Sequence, residues 1–133
     1  MFVSHNPPAV PSIGAPLSWG LETGQPKRMV FVAGQIGSRP DGTMAHGFLA
    51  QAAQIWVNIG EVLKSAGMTS ANIVRTGIFM TPEIDFTPEA KAEFNKARIA
   101  FLGDNRPAST MIWVPRLMDP AWLIEIDAIA VEL

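Results

Sequence analysis

Two short β-type runs that are apolar on both sides constrain the fold of this chain most strongly. Residues 29–34 and 73–80 are almost entirely hydrophobic, with Arg75 and Thr76 as the exceptions. Side chains alternate between the two faces of a strand, so runs of this kind are typical of strands that are buried on both sides. Each face of the sheet that contains these strands must therefore be covered by other parts of the chain or by another molecule.

Two helices are predicted, and together they can cover only one face of that sheet. The first spans about residues 46–66, with an apolar stripe at spacings of three and four that consists of Ala52, Ile55, Trp56, Ile59, Val62, Leu63 and Ala66. Gly67 follows as its left-handed stop. The second helix begins at Thr87 and Pro88, a hydroxyl N-cap followed by proline, and ends before Gly103. The simplest cover for the other face is another copy of the chain, which predicts a homo-oligomer.

Further strands are expected at residues 17–19, 110–114 and 123–132, which gives the order β-β-α-β-α-β-β. Prolines cluster before residue 17, so residues 1–13 are expected to form an irregular N-terminal arm. A chain of 133 residues fits a single domain over residues 1–133, of the α+β class.

Composition excludes several classes of function. Ten basic residues against twelve acidic ones give a net charge of −2, which argues against a nucleic-acid partner. No apolar run approaches the roughly 20 residues that span a bilayer, and no secretory signal precedes the domain, so no membrane partner is expected. The absence of cysteine fits a reducing compartment and a cytoplasmic location. His5 and His46 stand at unrelated positions, so neither a metal site nor a Ser-His-acid triad is predicted.

Several short motifs occur in order at spacings that resemble the Rid family (RidA/YjgF, the reactive intermediate deaminases). They are the strand 31–37, the turn 41–42, the helix positions Gln51, Gln54, Asn58 and Ile59, then Asn95, the segment 107–110 and the strand 124–130. The resemblance implies a chorismate-mutase-like mixed β-sheet with two helices packed on one face. It also implies a homotrimer that binds a small-molecule ligand in clefts between subunits and uses no cofactor.

The chain departs from this family at positions that matter for function. In the family, the arginine of a P-A-R-S signature holds the substrate carboxylate, because guanidinium forms a planar, two-pronged pair with it. Here that position is Ser109, which has neither the reach nor the charge. A family tyrosine corresponds to Leu17, and a family serine corresponds to Ala33. The sequence leaves open which of three other arginines, if any, replaces the missing one: Arg75, Arg98 or Arg106.

Glu125 is the candidate catalytic residue. The resemblance implies that it positions or activates a water for attack on an imine, and a carboxylate suits this role because it can accept a proton. Asp127 shares its strand face at a distance of ~7 Å and is interpreted as structural or as an interface residue. The expected binding residues are Asn95, Ser109, Gly34, Ala33, Leu17, Met111 and Trp19.

Two functional hypotheses follow. The first is a cofactor-free hydrolase or deaminase of an enamine, an imine or a related metabolite. Its specificity would be altered by Ser109, toward substrates that are less acidic or aromatic, with little activity on imines of ordinary amino acids. The alternative is a non-catalytic metabolite-binding or regulatory module that uses the same intersubunit cleft. A nucleic-acid function, sometimes ascribed to the family, is opposed by the negative net charge.

Overall fold

The computed structural model describes residues 2–133 and has two layers, a mixed sheet and a pair of helices. In chain order the elements are β1 (Phe2–His5), β2 (Gly20–Thr23), β3 (Arg28–Gln35), α1 (Phe48–Ser65), a 3₁₀ turn (Ser70–Asn72), β4 (Ile73–Met80), α2 (Pro88–Leu102), β5 (Ala108–Trp113) and β6 (Ile124–Glu132). The main sheet has the order β3-β6-β4-β5, in which only β4 and β5 are parallel. The predicted α+β class, with both helices on one face, is confirmed.

The core lies between this sheet and the apolar stripe of α1. Ile55, Ile59 and Leu63 of the predicted stripe are completely buried, and they pack in one cluster with Ile78 and Ile126 of the sheet. Burying one such side chain contributes about 1.5–3 kcal/mol, so the stripe is a main source of the stability of the fold. The helix-facing positions of each strand alternate with positions on the opposite face.

The helix ends follow the local signals in the sequence. The Thr87 hydroxyl accepts a hydrogen bond of 3.1 Å from the Ala90 backbone N–H, so it caps α2 as predicted. Gly67, which follows α1, has φ 72°, and Gly103, which follows α2, has φ 60°. Left-handed backbone of this kind favours glycine, which explains where both helices stop.

The start of the chain differs from the expectation of an irregular arm. Residues 2–5 form β1, which pairs antiparallel with β2 in a separate two-stranded sheet. The strand expected at residues 17–19 begins instead at Gly20. His5 Nε2 of β1 lies 2.7 Å from Glu22 Oε2 of β2, and Ser4 Oγ lies 2.9 Å from the Oγ of Ser18, just before β2. The pairing crosses a proline-rich loop, so the local pattern of either segment does not reveal it.

Among residues 2–133, much of the sheet face opposite the helices is left uncovered. Phe31 and Met29 of β3 lie on this open face with 71% and 48% of their surface exposed. Phe79 of β4 and Ile129 of β6 are partly buried on the same face. The two helices therefore cover one side of the sheet, as the apolar runs indicate. Within residues 2–133, neither helix has the length and apolar character that a bilayer span requires.

Candidate functional site

A cavity of about 330 Å³ lies between α2, the helix-facing side of β5 and the segment that leads into β2. This volume is at the lower end of the range for small-molecule sites. Its charged lining residues are two cations, Lys91 and Arg98. Its other lining residues are Ile13, Ala15, Leu17, Trp19, Met80, Phe86, Asn95, Ser109, Met111 and Trp113.

The register between β4 and β5 directs Ser109 and Met111 toward this cavity. Thr76 is paired with Ser109 and Ile78 with Met111, and both β4 residues are buried on the helix side of the sheet. The two hydroxyl groups of Thr76 and Ser109 are hydrogen-bonded at 2.8 Å. The Ser109 hydroxyl is therefore already engaged by the protein, and no charge stands at this position of the strand.

One side of α2 supplies the polar part of the cavity. Lys91, Asn95 and Arg98 follow one another at spacings of four and three residues, which places them on the same face of the helix. Arg98 is only 2% exposed, and its Nε and Nη2 atoms are buried without a hydrogen-bond partner. Among residues 2–133 it forms no ion pair. Burial, with a smaller contribution from the charge of Arg106, lowers the pKa of Arg98 to about 10, so it remains a cation at neutral pH.

Aromatic side chains form much of the remaining wall. Phe86 and Trp113 meet edge to face, with ring centroids 5.8 Å apart. Trp19 lies on the other side of the cavity, where its backbone N–H donates a 2.8 Å hydrogen bond to Asn6 Oδ1. These rings offer flat apolar surface to a ligand beside the polar face of α2.

Glu125 lies on the opposite face of the sheet from this cavity. It is paired with Phe79, and Phe79 is three positions from Thr76 on β4, so the two β4 side chains point to opposite sides. A Cβ placed on Gly34 would lie 2.5 Å from Glu125 Oε2, which shows that the carboxylate extends directly over Gly34. Ala33 belongs to this open face as well, together with Asp127.

The environment of Glu125 favours its protonated form. Partial burial raises the pKa of this carboxyl above its ordinary value, and the negative charge of Asp127 raises it further. A carboxyl group of this kind can exchange a proton at a pH closer to neutrality than an exposed one. Across residues 2–133, His, Asp and Glu side chains nowhere gather in a group of three that could hold a metal ion.

The structure thus divides the expected site residues into two groups. Leu17, Trp19, Asn95, Ser109 and Met111 line the cavity. Ala33, Gly34 and Glu125 lie together on the other face of the sheet.

Of the three candidate arginines, only Arg98 lines the cavity. Arg75 lies on the open face, where its Nη2 donates to Thr110 Oγ1 at 3.2 Å. Arg106 belongs to the loop after α2 and donates from Nη1 to the carbonyl oxygens of Gly103 and Asn105. Lys91 and Phe86 were not expected in the site, although the spacing of Lys91 from Asn95 on one helix is a signal that sequence could have used.

A mixed sheet with two helices on one face and a cavity beside its parallel edge strand defines a small α+β protein of the RidA type. The family model described as Endoribonuclease L-PSP matches residues 14–132, and the chain belongs to this family, the Rid (RidA/YjgF) family.

Two relatives and one solved structure resemble the chain over most of its length. A 2-iminobutanoate/2-iminopropanoate deaminase of Rattus norvegicus is 35% identical over 79% of this chain and 74% of its own length. The deaminase of that name from Salmonella typhimurium is 34% identical over 98% of this chain and 96% of its own length. A crystal structure of YyfB from Yersinia pestis, described as a Rid-family protein of unknown function, superimposes with a TM-score of 0.84 at 30% identity, covering 98% of both chains.

Proposed function

We propose that this protein is a cofactor-free hydrolase that deaminates an imine or enamine in a cleft between subunits of a homotrimer. The observation that carries the proposal is the pairing of two features that such chemistry needs. One is a small cavity with a cationic and an aromatic wall, and the other is Glu125, a carboxyl whose pKa is raised. The names of the rat and Salmonella relatives support the same reaction class.

Glu125 would act on the water that attacks the imine. Water adds to the carbon of the protonated C=N bond while the carboxylate accepts one of its protons. Glu125 returns that proton to the nitrogen of the carbinolamine and then takes the proton of its hydroxyl group as the C–N bond breaks and ammonia leaves. The proton that first activated the imine passes from Glu125 to solvent, so the charge balances. The products are a carbonyl compound and ammonia, so imine and water balance the reaction without an oxidant or a metal. An enamine would first be protonated at carbon to give the imine.

The assembly is required because the two halves of the site point away from each other in one chain. A ligand in the cavity faces α2 and Ser109, whereas Glu125 lies across the sheet. A ring of identical subunits brings one surface of each chain against a different surface of the next. The exposed Phe31 and Met29 on the open face support such a contact, since a lone subunit would leave this apolar surface in water.

The specificity should differ from that of relatives that keep the signature arginine. Ser109 is short, uncharged and bonded to Thr76, so it offers no two-pronged grip from β5. Leu17, at a position that the resemblance matches with a family tyrosine, gives the cavity wall an apolar side chain. We therefore expect slow turnover of imines from small amino acids and faster turnover where an apolar body fills the aromatic wall.

The test follows ammonia release, or loss of the imine to a semicarbazide trap, from imines made in situ by an amino acid oxidase. Glu125→Gln should lower the hydrolysis rate by about 10²–10⁴-fold, the usual contribution of a positioned acid–base group. Glu61→Gln, which changes an exposed carboxylate on α1, is the matched control and should leave the rate unchanged. Unimpaired hydrolysis by the Glu125 variant would contradict the role proposed for this residue.

The alternative, a non-catalytic metabolite-binding module, is favoured by one observation: the cavity of a single chain contains no acid that could act on water. A ligand that binds one per cavity and is recovered unchanged after long incubation would support this alternative and contradict the enzyme.

A further inference from the structure

We infer that Arg98, on α2, is the anion-binding residue of the cavity and that it takes the carboxylate of a small, largely apolar ligand. This inference deepens the proposed function, on which it rests for the place where the ligand reacts. Binding of the carboxylate depends only on the cavity of one subunit.

The first observation is that a buried cation has no partner in the protein. Arg98 is 2% exposed, two of its three guanidinium nitrogens are buried without a hydrogen bond, and no carboxylate within residues 2–133 pairs with it. A charged group in this state is costly unless something pairs with it, and proteins rarely keep one without a use. An anion in the cavity that Arg98 lines would supply the missing partner after a small turn of the guanidinium, because Nε and Nη2 are themselves almost inaccessible to solvent.

The second observation is the sign of the charge around the cavity. Lys91 and Arg98 are its charged lining residues, so its walls carry two positive charges and no negative one. Low-dielectric walls of one sign concentrate the field and attract the opposite charge. The cavity therefore selects an anion before any detailed contact forms.

The shape and chemistry of the cavity favour a monoanionic carboxylate over a phosphate. One buried guanidinium can pair with the two oxygens of a planar carboxylate, and the largely apolar remainder of the wall makes burial of a second negative charge, as in a phosphate dianion, more costly. A volume of about 330 Å³, bounded by Trp19, Phe86 and Trp113, leaves room for a compact apolar body next to the charge.

Ser109 is consistent with this assignment. It lines the same cavity as Arg98, so an arginine at position 109 would place a second guanidinium near the first. Like charges in a partly buried space repel strongly. A small serine that is hydrogen-bonded to Thr76 adds no further charge, so the cations of the cavity, Lys91 and Arg98, both lie on α2 and none lies on β5.

The experiment titrates the intact protein with 3-phenylpropanoate and with its neutral analogue 3-phenylpropanamide, by calorimetry and by fluorescence of Trp19 and Trp113. We expect the wild-type protein to bind the acid at least tenfold more tightly than the amide. Arg98→Met should abolish this preference, and Arg98→Lys, which keeps the charge but loses the planar fork, should retain part of it. Arg116→Met, at an exposed loop position away from the cavity, is the matched control and should behave as wild type.

Equal affinity for acid and amide in the wild type, or an undiminished preference in Arg98→Met, would overturn the inference. Inorganic phosphate that binds Arg98 as tightly as the carboxylate would overturn the choice of ligand class. Failure of the proposed function gives a different result. Carboxylate binding that depends on Arg98, without hydrolysis of any imine, would contradict the enzymatic function and support the anion site. Conversely, hydrolysis that is equally fast in wild type and Arg98→Met would support the enzymatic function and contradict the anion site.

Discussion

Glu125 and Ser109 lie on opposite faces of the same sheet, on two strands that are separated by β4. Ser109 is paired with Thr76 on the helix side, and Glu125 is paired with Phe79 on the open side. In the reaction that we propose, a single subunit would therefore supply two half-sites that cannot act on one ligand. The proposed reaction therefore requires two subunits, one to supply the cavity and the other to supply Glu125.

The pH dependence of hydrolysis should report the pKa of Glu125. Because burial and Asp127 raise this pKa above the ordinary value, the ionised base is lost at a higher pH than for an exposed glutamate. The hydrolysis rate should thus be full at high pH and should fall as the pH drops through a value above 4.5, the ordinary value for a glutamate. Asp127→Asn removes the negative neighbour and should move this limb to lower pH. A limb that does not move would show that Glu125 does not control the acidic side of the profile.

Gly34→Ala should impair the reaction without unfolding the protein. The added Cβ would lie within 2.9 Å of the Cγ, Cδ and Oε2 atoms of Glu125, so the flexible carboxylate must turn away from its place. A misplaced catalytic group typically costs at least about tenfold in rate, measured as kcat/KM. Gly60→Ala is the control, because its Cβ meets the Phe101 ring at an ordinary 3.5 Å. That change within α1 should raise stability by roughly 0.5–1 kcal/mol and leave kcat/KM unchanged.

Arg98→Met should make the protein more stable while it removes the anion site. Burial lowers the pKa of Arg98 to about 10 in the folded state. Below that pH the side chain is a cation in both states, but only the folded state buries it, so its charge destabilises the fold. Replacing a buried charge with an apolar side chain of similar volume should increase the free energy of unfolding by about 1–3 kcal/mol. Urea unfolding at pH 7 measures this, with Arg116→Met expected within about 0.5 kcal/mol of wild type. A loss of stability in Arg98→Met would mean that the guanidinium is already well paired inside the fold.

Phe31→Glu should weaken the assembly. Phe31 is 71% exposed in the single chain and stands on the open face that we assign to the subunit contact. A charge buried in such a contact without a partner is strongly unfavourable, so the variant should elute as a monomer at micromolar concentration while the wild type elutes as a trimer. Light scattering coupled to gel filtration gives the mass directly. Val57→Glu, at a position 57% exposed on the outer side of α1, should remain trimeric. A trimer in both variants would place the contact elsewhere.

Local signals in the sequence predicted most of the fold. The stripe of α1, the Thr87-Pro88 start of α2 and the glycines after both helices each depend on neighbours within a few residues, and each is confirmed. The strand β4 has the predicted bounds, Ile73–Met80, because this run is apolar apart from Arg75 and Thr76. β1 was missed because its partner, β2, follows a proline-rich loop, and a pairing over that distance leaves no local pattern.

The sequence named residues for the candidate site but not their arrangement. Asn95, Ser109 and Met111, which were singled out by motif position, line one cavity. Their separation from Glu125 depends on the strand order β3-β6-β4-β5 and on the registers of β4 with both of its neighbours, which no local pattern contains. The choice among Arg75, Arg98 and Arg106 required burial and hydrogen-bond partners, and these follow only from the packed structure.

Subunit mixing tests most directly the claim that the cleft is built from two chains. Glu125→Gln retains an intact cavity, and Arg98→Met retains an intact Glu125, so each variant alone should be nearly inactive. When the two are unfolded, mixed in equal amounts and refolded together, random assembly places both intact halves at about one junction in four. Recovery of about a quarter of the wild-type hydrolysis rate is the predicted result. A mixture no more active than either variant alone, although mixed trimers form, would contradict the shared cleft.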